Sequence, residues 1–203
     1  MYKLLLIFSF FIVNYSAKAQ NFTDKALTQA VLQLNASKTA NDYDNVFNKF
    51  SGAKTSETWL SNYYAAVALY LKNETLLKKS SGASLMDDNA FARKIATGIW
   101  TAQRDNAEIN ILLGLLYVQK IQIDGSQNSQ PDQDVISQSI VKAETHSVNN
   151  PRLTVLQAKI KEKSGDQQNA DILYRKALNE FSNPNSSDSK SPTWGKQLVP
   201  SVQ

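Results

Sequence analysis

A spacing of four and then three residues between packing side chains recurs along this chain at intervals that few architectures can use. Ala170, Tyr174 and Ala177 carry it, as do Val46, Phe50 and Ala53, then Ile136, Ile140 and Ala143, and more loosely Ala92, Ala96 and Ile99. Residues three and four apart are neighbours on one helix face. The middle residues step by 46 (Phe50 to Ala96), 44 (Ala96 to Ile140) and 34 (Ile140 to Tyr174). Each interval has room for one helical hairpin, so the pattern predicts an array of hairpin repeats.

A second series runs between the members of the first. Asn110, Leu113, Gly114 and Tyr117 share their spacing with Asn62, Ala65, Ala66 and Leu69, and more weakly with Thr154, Gln157, Ala158 and Lys161. The small residues step by 48 (Ala66 to Gly114) and 44 (Gly114 to Ala158), close to the steps of the first series. Two interleaved series advancing together predict paired helices, A and B. At Ala66, Gly114 and Ala158 a small side chain lets the partner helix of the A/B pair approach closely. Gly costs about 1 kcal/mol against Ala inside a helix, which implies a packing reason for Gly114. Gly165-Asp166 predicts the turn of the last hairpin, with Gly in the left-handed conformation that ends helix A and Asp capping helix B.

With these motifs the chain resembles a tetratricopeptide-repeat protein, of the divergent secreted kind found in Bacteroidetes bacteria. The resemblance is best from Asn150 to Phe181 and fair from Asn41 to Tyr117. It lapses in the long connectors, and Asn110 stands where the family carries a Trp. It implies an all-α fold, a TPR-like α-solenoid of about four hairpins wound as a right-handed superhelix, whose concave face holds a peptide or protein. It implies no catalysis. On the family's spacing, Tyr63, Tyr70, Ile111, Gln119, Arg152 and Lys159 occupy the helix-A turns that face the groove. The expectation is that Tyr63, Tyr70 and Arg152 are at least partly exposed there and contact a partner.

Met1 to Ala19 reads as a secretory signal peptide. Lys3 precedes an apolar run from Leu4 to Val13, and Ala17-Lys18-Ala19 is an A-x-A cleavage site before Gln20. The run is short for a membrane span, which needs about 20 apolar residues. The protein is therefore expected to be exported, periplasmic or secreted, without stable membrane insertion after cleavage. No Cys occurs anywhere, which removes disulfides, thiolate chemistry and a lipid-anchored N-terminus from consideration. Without Lys3 and Lys18 the balance is 20 basic against 18 acidic residues, which gives no reason to expect nucleic acid.

Eight helices are predicted over 20–182. Thr23 or Asp24 caps the first, which turns Ala26, Leu27, Ala30, Val31 and Leu34 inward. Asn41-Asp42 opens its partner. The third helix runs from Glu57 to Leu71, and Lys78 to Ser84 is a polar connector. Asp87 or Asp88 starts a fourth helix with Phe91, Ile95, Ile99 and Trp100 inward. The fifth opens near Asp105 and reaches Ile121. Asp124 to Gln133 reads as a loop with Pro131 near the next helix start, and Asn149-Asn150-Pro151 separates the last two pairs. Residues 183–203, rich in Asn, Ser and Pro, read as a polar, disordered tail in which Trp194-Gly195 is out of place.

Little in the chain suggests chemistry. His146 is the only His, so neither a triad nor a zinc site can be assembled around it, and its place at a helix end suits a surface or capping role. Asp87 and Asp88 are adjacent and point apart on a helix, which favours capping over acid–base work. Asp124, Asp132 and Asp134 do not have the spacing of a calcium loop. Tyr63, Tyr64, Tyr70, Tyr117, Trp59 and Trp100 are either core or groove lining. No catalytic residue, metal ligand or cofactor is assigned. The reading is a non-catalytic periplasmic scaffold for an unidentified protein or peptide. The alternatives are an accessory subunit of an envelope uptake or assembly complex, or a small carboxylate-dependent hydrolase.

Overall fold

The computed structural model describes residues 24–79, 85–125, 129–147, 149–183 and 192–200. The signal peptide, its cleavage site and most of the connector at 78–84 lie outside the described residues. The described chain is all-α: α1 Lys25–Ala36, α2 Ala40–Ser51, α3 Thr58–Leu77, α4 Leu85–Trp100, α5 Ala107–Asp124, α6 Gln130–His146, α7 Pro151–Lys163 and α8 Gln167–Ser182, followed by one 3-10 turn at Lys196–Leu198.

Local chemistry explains most of the boundaries. Asp24 caps α1, its carboxylate accepting from the backbone N–H of Ala26 at 2.7 Å. Thr39 and Asp42 form a reciprocal capping box, which starts α2 ahead of Asn41. Asn149 takes the left-handed conformation (φ 60), Asn150 caps α7 and Pro151 occupies its first turn. Gly165 (φ 79) ends the hairpin turn, and Asp166 caps α8 through the N–H of Asn169. Gly125 (φ 69) stops α5, so the expected 124–133 loop is shorter than its composition suggests and α6 begins at Gln130. Helix α3 runs six residues past Leu71, to Leu77.

Helices pack in sequence, α1 with α2, α3 with α4, α5 with α6 and α7 with α8, and each odd-numbered helix also touches the next odd-numbered one. The odd row is therefore enclosed. Helices α3 and α5 bury residues all round, whereas α2, α6 and α8 bury a single stripe. The stripe is the spacing first seen in the sequence: Ala92, Ala96 and Ile99 on α4, and Ala170, Tyr174 and Ala177 on α8, are buried. Phe91 departs from expectation. It is 48% exposed, edge-on to Phe47 of α2 at 6.0 Å, while α4 buries its alanines Ala92 and Ala96.

Gly114 sits where α5 meets two other helices. A Cβ there would lie 2.6 Å from Leu156 Cδ2 of α7 and 3.4 Å from Ser139 Cβ of α6. The sequence suggested an A/B contact, but the tighter neighbour is the next helix of the odd row. Leu156 is fully buried and has nowhere to retreat. Gly114→Leu is expected to lower stability by about 2–3 kcal/mol, the overpacking outweighing the gain in helix propensity. The urea unfolding midpoint measures it, and an unchanged midpoint would mean the crossing can open.

Candidate functional site

On α3, Tyr63, Tyr70 and Glu74 share a face by helical spacing; so do Glu108 and Gln119 on α5, and Arg152 and Lys159 on α7. Two carboxylates sew the three rows together. At one end Glu108 receives Arg152 in a fork, Nε to Oε2 at 2.7 Å and Nη2 to Oε1 at 2.6 Å, together with the hydroxyl of Tyr63 at 3.2 Å and Asn150 Nδ2 at 2.6 Å. At the other end Glu74 accepts from Gln119 Nε2 at 2.8 Å and from Lys159 Nζ at 2.6 Å. Gln119 also donates to the Tyr70 carbonyl at 3.1 Å and accepts from Asn89 Nδ2 at 3.1 Å.

Between these ends lies Trp194, with no exposed surface. Its indole Nε1 donates to Tyr63 Oη at 2.9 Å, and its ring centroid is 6.4 Å from those of both Tyr63 and Tyr70. Arg152 Nη1 donates to the carbonyls of Pro192 at 2.7 Å and Trp194 at 3.3 Å, and its guanidinium lies 5.9 Å from the indole centroid. Asn35 of α1 donates to the Thr193 hydroxyl at 2.7 Å. The 3-10 turn then buries Leu198. Gly195 (φ 114) has no room for a side chain, since a Cβ would stand 2.9 Å from both Arg152 Cγ and Phe181 Cζ. The expectation of a disordered tail is thus overturned for 192–200. The polar composition around it masks one large apolar anchor, and burying an indole can offset the entropy of ordering the few residues that carry it.

The six residues expected on an open groove fare unevenly. Tyr63, Tyr70 and Arg152 do converge on one face, yet all three are buried rather than exposed, between the packed helices and with Trp194 against them. Ile111 and Gln119 are buried as core and as part of the polar network, and Lys159 is engaged by Glu74. Of the other aromatics, Tyr64 stacks on Phe50 at 5.2 Å, Arg93 sits over Tyr117 at 5.2 Å, and Trp100 lies under Lys142 at 4.5 Å while donating to Asn110 Oδ1 at 3.0 Å. Asn110, standing where a Trp was expected, also donates to the carbonyls of Arg104 and Asn106, and so holds the turn before α5. Trp59, 37% exposed, shares a shallow apolar cleft with Phe91 and Ile95 on the α3–α4 flank.

A cleft of about 360 Å³ opens beside the docked tail. Leu198 and Pro200 form one wall, with Glu74, Lys159, Lys163 and Tyr174 among the rest. Candidate acids elsewhere are already engaged. Asp88 pairs with Lys72 at 3.0 Å, Asp132 with Lys120 at 2.5 Å, and Asp134 accepts from Gln130 at 2.8 Å. His146 is half exposed and 3.8 Å from Asp105. No group of three or more metal-ligating side chains occurs among the described residues, and no helix among them is long and apolar enough to cross a membrane.

Burial sets the protonation of this face. The phenols of Tyr63 and Tyr70 are pushed well above their ordinary value, first by desolvation and then by the nearby carboxylates Glu108 and Glu74. Burial alone would disfavour the charge on Arg152, but Glu108 reverses this and raises its pKa. The chain matches no family model, no curated protein and no solved structure, so the site has to be read from its own chemistry.

Two hydroxyls on α3 make opposite predictions. Tyr63 Oη is paired on both sides, whereas Tyr70 Oη is buried without a hydrogen-bond partner. Tyr63→Phe is expected to cost about 1–2 kcal/mol, and Tyr70→Phe to be neutral or stabilising. Because a raised phenol pKa supports the fold below the ordinary value of 10 and ceases to do so as pH climbs past it, stability should fall above pH 10. Tyr70→Phe should flatten that fall. Urea titrations at pH 8 and pH 11 measure both effects.

Proposed function

We propose that this protein is a non-catalytic, exported interaction scaffold, a TPR-like solenoid whose odd-helix face is concave and recognises an extended polypeptide segment. One observation carries the reading. A stretch without α-helical structure is held on that face by side chains bonding to its backbone, Arg152 to two carbonyls, while an indole fills the space against Tyr63 and Tyr70. Affinity from main-chain hydrogen bonds with selectivity from one anchored side chain is how extended peptides are captured in general. Tyr, Trp and Arg are also the side chains that dominate binding energy at protein interfaces.

The polar groups of the face suit this role. Glu108 and Glu74 are each held by neutralising partners, as positioning groups are, and the remaining Nη1 of Arg152, aimed at two carbonyl oxygens, recognises backbone in any sequence. The A-x-A site at residues 17–19 supports export, to the periplasm or beyond.

Selection of displayed ten-residue peptides on the full chain and on its Trp194→Ala variant tests the proposal. Peptides containing an aromatic residue should be enriched, and Tyr63→Phe should weaken their binding about fivefold or more. No enrichment on either protein would overturn it.

A further inference from the structure

Residues 192–198 occupy the very face that the proposed function assigns to a partner. They do so with the attributes of a ligand rather than of a ninth structural element. The segment joins neither an α-helix nor a sheet; besides the packing of its 3-10 turn on α8 and the burial of Leu198, its hold comes from one buried indole, two carbonyls on Arg152 and one hydroxyl on Asn35. It is joined to α8 through the polar residues 184–191. Its sequence is matched to the site at a single step: after Trp194 only Gly fits, because φ is 114 and any Cβ would strike Arg152 and Phe181.

The fit is also incomplete. Tyr70 Oη is buried beside the docked indole without a hydrogen bond of full geometry, and the polar groups it addresses are Glu74 and Tyr174. Both of these side chains line the open cleft next to Leu198. The docked tail therefore leaves an open space beside it, bordered by charged and polar side chains.

We propose that residues 192–198 are a tethered ligand: the face is a recognition site for a polypeptide segment presenting Trp followed by Gly, and the chain's own Trp194-Gly195 competes for it in cis. This rests on the reading of the face as a peptide site. Tethering keeps the tail at an effective concentration on the order of millimolar. With a tail whose own affinity for the free face is about 0.1 mM, any partner segment is then weakened about tenfold, so only a segment that fits better than the tail displaces it.

The test uses the full chain and a fluorescent peptide of residues 190–200, Lys-Ser-Pro-Thr-Trp-Gly-Lys-Gln-Leu-Val-Pro. Anisotropy should show Trp194→Ala and Gly195→Ala proteins binding the peptide at least tenfold more tightly than the unsubstituted protein, because their own tails no longer compete. The peptide with Ala in place of its Trp should not bind. Hydrogen exchange on the unsubstituted protein supplies a readout that does not depend on a variant folding. The amides of 195–199 should exchange at least tenfold faster than those of α3, through openings that leave the helices intact. Equal peptide affinity for all three proteins, or protection of 195–199 equal to that of α3, would overturn the tethered-ligand proposal. If display-selected peptides bind the unsubstituted and Trp194→Ala proteins equally well, the peptide-site reading stands and only the competition in cis fails.

Discussion

Everything on the odd-helix face depends on the buried pair of Arg152 and Glu108. Removing a guanidinium from water is costly unless its donors are met, and a pair that leaves some unmet weakens a fold. Arg152 has five N–H groups and makes four bonds, two to Glu108 and two to carbonyls of the tail. Half of that satisfaction is therefore supplied from outside the helical array. Glu108 in turn gathers α3 through Tyr63 and the start of α7 through Asn150, so one carboxylate registers three helices at once.

The second carboxylate, Glu74, repeats the arrangement at the far end with less exacting groups. Lys159 offers a point charge and Gln119 an amide, where Arg152 offers a planar fork. Gln119 extends the network to Asn89 and, through Asn73, to the first residue of α4. A fully apolar odd row could slide along its own ridges. These pairings admit one register, which is the use of buried polar groups best supported elsewhere.

Much of the helical framework was legible in the residues themselves. The four-then-three spacing named the buried stripes of α4 and α8 and two members, Val46 and Phe50, of that of α2, and short-range signals such as Asn150-Pro151 and Gly165-Asp166 marked the starts of α7 and α8 because capping is local chemistry. Phe91 was misread because hydrophobicity alone does not say whether a helix meets its neighbour through large or small side chains; the alanines at 92 and 96 decided it. The docking of Trp194 had no periodic trace at all. Its partners include Tyr63 and Asn35, more than a hundred residues away, and a single anchor in a polar stretch leaves no pattern to read. Its oddity in that company was the one available sign. The convergence of Tyr63, Tyr70 and Arg152 on one face followed from spacing, whereas the Trp194 packed against them lies in a segment that spacing could not locate.

The strap from the last helix back to α1 and α3 also has a consequence in time. Chains are synthesised from the N-terminus, and each hairpin can gather its own contacts as it is completed. The hydrogen bond between Asn35 and Thr193 spans 158 residues, almost the full length of the described chain. Contacts of such long range form late and slow the final stage of folding. A folding molecule therefore passes through an interval in which its helices stand assembled while the aromatic face is uncovered and the Arg152 donors are hydrated. Folding of this chain then ends with the closure of residues 192–200 over that face.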